Sequence, residues 1–105
     1  MNSDSEQWVA TAHTAIARAE HWISENPQAW AVMTETALHE AACKRHFSMQ
    51  WIVEQIRRKD YVTRAGEPCK VQNSFVPVFT RIMCKQHPEI RPYLEMRKSQ
   101  FDGLI

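Results

Sequence analysis

Apolar residues recur along this chain mostly at helical spacing. Trp8, Ala12, Ile16, Ala19 and Ile23 fall at i, i+4, i+8, i+11 and i+15, one face of an amphipathic helix over about residues 6–24. Glu25, Asn26 and Pro27 interrupt the run, with Asn26 suited to cap a second helix and Pro27 to open it. That helix is expected to carry Trp30, Met33, Ala37, Leu38 and Ala41 on its apolar face, and to end near Arg45 with Lys44, Arg45 and His46 complementing its dipole. Ser48 then caps a third helix to about Asp60, with Phe47 as a staple and Met49, Ile52, Val53 and Ile56 together on one side.

The period changes after Asp60. Tyr61, Val62 and Thr63 are strand formers, Gly66 and Pro68 are turn residues, and Cys69 to Gln72 can return, which predicts a short β-hairpin with an irregular loop as the alternative. Asn73 or Ser74 caps a fourth helix bearing Phe75, Val76, Phe79, Ile82 and Met83, with Pro77 in its first turn and Pro88 just past its end. A last short helix with Tyr93, Leu94 and Phe101 starts at Pro88 or at Pro92. The expected fold is therefore mainly α: a helix-turn-helix or winged-helix-like domain of four to five helices with a short β-hairpin. It forms a single domain over 1–105, with a helix-turn-helix-like core at about 27–87 and loose ends at about 1–5 and 102–105.

Composition narrows the class. A chain of 105 residues, 44 % hydrophobic with ten aromatics, can bury roughly two thirds of its unfolded surface and support a real core. No apolar run is long enough for a membrane span or signal peptide, so a cytoplasmic protein is expected. Cys43, Cys69 and Cys84 are an odd number without secretory context, which predicts reduced thiols.

The net charge of +1 hides an asymmetry: −5 over residues 1–43, +4 over 44–70 and +2 over 71–105. Such a distribution fits a polyanion-facing side. On the third helix Gln50, Trp51, Glu54 and Arg58 lie opposite the apolar stripe with Arg57 at its flank, residue types able to address base edges in a major groove. Arg64 and Lys70 of the hairpin extend this set toward a phosphate backbone. The bland alternative is a solvated helix face carrying a Glu54–Arg58 ion pair at i, i+4. Trp8, Trp22, Trp30, Phe75 and Phe79 read as core, although Trp22 sits near the edge of its stripe and joins Trp51 as a candidate interface residue.

Cys43 with His46, and Cys84 with His87, have an i, i+3 spacing that can hold zinc, and His39 lies one turn before Cys43. These residues lie within well-patterned helices that fold without metal, so no metal or other cofactor is expected. No third orienting group accompanies any nucleophile and base, and two glycines leave no phosphate cradle. The chain is therefore not expected to be an enzyme.

Glu25, Asn26 and Pro27, then Ser48, Ile52, Ile56 and Arg57, then Gly66, Gln72, Asn73, Arg81 and Pro88, and finally Leu94, Glu95 and Arg97 resemble a family of small phage- and prophage-encoded proteins, mostly uncharacterised and helix-turn-helix-like. The similarity spans about residues 16–100 and rests on scattered positions. Where the pattern has two adjacent asparagines this chain has Gln72 and Asn73, and Pro92 is foreign to it. The resemblance implies a bacterial or phage setting and brings no catalytic residues. Duplex DNA is the partner these features favour. A host protein met by a phage-encoded inhibitor or adaptor is the alternative, and a homodimer follows only by analogy with helix-turn-helix readers.

Overall fold

The computed structural model describes residues 3–105, and side chains from Thr11 onward. Four helices account for most of it: α1 (Ser3–Glu25), α2 (Pro27–Ala42), α3 (Met49–Arg57) and α4 (Val76–Gln86). Single 3-10 turns precede α4 at Asn73–Phe75 and follow it at Pro88–Ile90. The mainly helical class expected from the spacing is the fold observed. Of the N-terminal end expected to be loose, Met1 and Asn2 lie outside the described residues and Ser3 to Ser5 belong to α1.

The apolar stripes converge on one core. Ala12, Ile16 and Ala19 of α1, Met33 and Ala37 of α2, Ile52, Val53 and Ile56 of α3, and Val78, Phe79 and Met83 of α4 are buried together. Phe79 is its hub, with ring centroids 5.0 Å from Trp22, 5.3 Å from Trp30 and 5.5 Å from Phe75. The expected core role of Trp8 falls on a side chain outside those described.

Element boundaries depart from sequence expectation for local reasons. α2 stops at Ala42 rather than near Arg45 because Lys44 turns left-handed at φ 57°. The Arg45 N–H then donates to the Glu40 carbonyl and the Lys44 N–H to that of Ala41, a Schellman-like closure. Ser48 caps α3 by accepting from the Trp51 N–H at 3.1 Å, as its residue type predicts. Asn26 does not cap α2: its Nδ2 donates instead to the Trp22 carbonyl at 2.9 Å, closing the end of α1. Pro77 occupies the first turn of α4, where its missing N–H costs nothing.

The predicted β-hairpin is corrected, and with it the wing. Among the described residues there is no strand. Residues 61–69 fold back through one antiparallel bridge, Val62 to Pro68, around Gly66 at φ 82°. Pro68 has no N–H for a longer ladder, and the neighbouring backbone groups turn to α1: the Arg64 N–H donates to the Glu25 carbonyl at 2.9 Å, and the Lys70 carbonyl accepts from Trp22 Nε1 at 2.7 Å. The segment is fastened to the domain instead of projecting from it.

The C-terminal end is likewise not loose. Phe47 and Leu94 form a parallel bridge, with the Phe47 N–H donating to the Tyr93 carbonyl at 2.9 Å and the Glu95 N–H to that of Phe47 at 2.8 Å. Farther on, Arg81 of α4 clamps the chain: Nε meets Asp102 Oδ1 at 3.0 Å, Nη1 donates to the Pro77 carbonyl at 2.9 Å, and Nη2 donates to the Arg97 carbonyl. Phe101 is buried, and Leu104 and Ile105 pack against the core. A strap over 91–105 replaces the expected last helix, because the backbone of its first half pairs with the chain entering α3.

Candidate functional site

The outer face of α3 is built by the packing of its inner one. Met49, Ile52, Val53 and Ile56 are buried against α2 and α4, which leaves Gln50, Trp51 and Arg58 exposed and Glu54 half-buried. Trp51 is 42 % exposed, unusual for so large an apolar side chain.

Three of the sequence-predicted residues form one connected group. Gln50 Nε2 donates to Glu54 Oε1 at 2.9 Å, and Arg57 Nη1 meets the same oxygen at 2.5 Å. The ion pair is thus Glu54–Arg57 at i, i+3, in place of the expected Glu54–Arg58. Arg57 goes further, with Nη2 donating to the Val71 carbonyl at 2.9 Å and to Asn73 Oδ1 at 2.5 Å. Its guanidinium ties α3 to the approach of α4, so it is a structural cation rather than one directed outward.

Arg58, Arg64 and Lys70 are exposed and make no ion pair among the described residues. Arg58 closes α3, whereas Arg64 and Lys70 belong to the loop fastened to α1, whose Val71 carbonyl meets Arg57 of α3. Arg64 is held by its backbone to the end of α1, and Lys70 lines a hollow of about 570 Å³ along α1 with Arg18, His21, Trp22 and Glu25. Trp22, read as core with an interface role as its alternative, is buried against Phe79 with its indole N–H donating to the Lys70 carbonyl.

A denser basic region lies where sequence reasoning placed nothing. The strap brings Arg91, Arg97 and Lys98 to Lys85 and the buried Arg81 of α4, around a cup of about 680 Å³ floored by Cys84, Met96 and Phe101. Asp102 is the one side-chain acid on its wall. The hydrogen bond from the Ser99 N–H, and then that from Arg81, hold its carboxyl below the usual range. A second hollow of about 440 Å³ shares Arg81, Arg97 and Lys98 with the cup and reaches Ser48, Met49 and Gln50 at the start of α3, with Glu95 also on its wall. The positive balance of residues 71–105 was the one sequence signal for this cluster. Its convergence depends on the strap folding back.

The cysteines and histidines remain scattered. His39 Nε2 and Cys43 Sγ lie 3.8 Å apart at the end of α2, His46 stacks near Tyr93, and His87 Nδ1 is 3.7 Å from Glu89. Burial raises the Cys84 thiol above its usual pKa, opposed in part by Arg91 and Arg81, and burial does the same to Cys69. Thiols raised in this way stay protonated and poorly nucleophilic at neutral pH. Among the described residues no group of three or more His, Cys, Asp or Glu gathers as a metal site, and no helix is long and apolar enough to cross a membrane. Comparison with protein-family models, curated proteins and solved structures gives no match to this chain.

Proposed function

We propose that the protein is a non-catalytic DNA-binding domain of helix-turn-helix type that presents α3 to the major groove of a duplex. The observation that carries this reading is the division of α3 into a buried apolar face and an exposed one bearing Gln50, Trp51 and Arg58. An α-helix such as α3 is about 10–12 Å across with its side chains and suits a groove about 12 Å wide. Glutamine reads adenine through two hydrogen bonds, so Gln50 is the base-reading residue. Glu54 Oε1 is already shared by Gln50 and Arg57, which removes it from direct readout in this conformation. Phosphate contact falls to Arg58 and Arg64, while Arg57 positions the helix.

The test is fluorescence anisotropy of a labelled mixed-sequence duplex across a salt series. Micromolar binding near 50 mM salt is expected, and the double change Arg58→Gln with Arg64→Gln should flatten the slope of log affinity against log salt by about 2, since each phosphate contact contributes about 0.9. Gln50→Ala should alter preference among sequences more than general affinity. Absence of binding to any duplex under these conditions overturns the reading. The exposure of Trp51 favours the second one, in which the same face of α3 docks a protein partner through an aromatic anchor.

A further inference from the structure

We infer that the cup between α4 and the C-terminal strap binds phosphate groups. On the DNA-binding reading, on which this assignment to a duplex rests, they are backbone phosphates beside the N-terminal end of α3. Lys85, Arg91, Arg97 and Lys98 line the cup and join no ion pair among the described residues. The one side-chain acid lining the cup, Asp102, is held by Arg81 and by the Ser99 N–H. Arg81 divides its fork between Asp102 and the carbonyls of Pro77 and Arg97. It therefore fixes the strap and leaves recognition to the cations around it.

Like charges gathered in this way repel one another and weaken the fold unless an anion joins them. Cys84, Met96 and Phe101 line the cup as well, and apolar neighbours strengthen the attraction of a cation for an anion. Arg97 and Lys98 also wall the adjoining hollow that opens on Gln50, together with Glu95, so basic residues extend toward the first turn of α3. Arg58 stands at the opposite end of the helix. Cations thus stand toward both ends of α3.

The experiment compares the unmodified protein with a variant carrying Lys85→Gln, Arg91→Gln, Arg97→Gln and Lys98→Gln, all at exposed positions, after circular dichroism has shown equal helicity. One arm measures duplex binding by anisotropy. The other measures thermal unfolding with and without millimolar tripolyphosphate. The proposal expects the variant to bind duplex at least about tenfold more weakly, with the salt slope reduced by about 3 to 4. Tripolyphosphate should raise the melting temperature of the unmodified protein by several degrees, through binding to the folded state alone, and leave the variant unmoved. Duplex binding that the variant retains in full, with its slope, overturns the cup as a duplex contact while the α3 reading stands. No duplex binding, together with tripolyphosphate stabilisation that the variant loses, supports the cup as a site for free polyphosphate and overturns the α3 reading. Failure of both arms overturns both.

Discussion

Lys44 occupies a backbone position usually given to glycine. Its φ of 57° forces Cβ toward the following carbonyl, a clash that glycine lacks. The exposed side chain joins no ion pair among the described residues. Lys44→Gly should therefore stabilise the domain by about 0.5–1 kcal/mol, the left-handed penalty less the extra freedom glycine gives the unfolded chain. Urea denaturation checks this, and a shift of the midpoint to lower urea would place the strain elsewhere. Asn26 shows a related limit at the same scale. Its type suits an N-cap, yet it is 3 % exposed and uses its amide on α1, leaving Oδ1 buried without a partner among the described residues. Residue type indicated that it ends a helix, and the packing selected which one.

At the scale of elements, the strap is the part whose stability depends on charge. The Asp102 carboxyl is depressed first by the Ser99 N–H and then by Arg81, so it binds its proton less readily folded than unfolded. Its contribution is whole above the ordinary carboxylate pKa of about 3.9 and is lost as pH falls through the lower folded value. Asp102→Asn should accordingly lower the urea midpoint at pH 7, and the gap from the unmodified protein should narrow or close by about pH 2 to 3. An equal gap at both pH values would show that the carboxylate charge is not what holds the strap. The loop over 61–72 is held differently, by backbone and indole hydrogen bonds to α1, and no ionisation is involved in those contacts.

For the molecule as a whole, one side chain joins most of the parts. Phe79 is fully buried and meets aromatic rings from α1, α2 and the turn before α4. Phe79→Ala should cost about 3–5 kcal/mol, the range for emptying a core site of an aromatic ring, and should destabilise all the helices together because they share one core. Equilibrium unfolding followed by circular dichroism and by tryptophan fluorescence checks both points: coincident transitions are expected. A loss below about 0.5 kcal/mol, the scale of surface changes, would show that the core is not organised around this ring.

Helix identity and the inner faces were legible in the sequence because apolar spacing is local: Ile52, Val53 and Phe79 follow from period alone and are buried. So does the outward position of Gln50, Trp51 and Arg58 on α3. The fate of irregular segments depended instead on partners distant along the chain. Residues 61–72 read as a hairpin because their composition favours strands, but their free backbone groups found α1, and residues 91–105 became a strap because Phe47 and Arg81 supplied partners no local pattern contains. The same distinction governs charge. Sequence counts cations along the chain, whereas tertiary structure engages Arg57 with Glu54, Val71 and Asn73 and gathers Lys85, Arg91, Arg97 and Lys98 into one cup, because electrostatic partners are set by distance in space rather than along the chain.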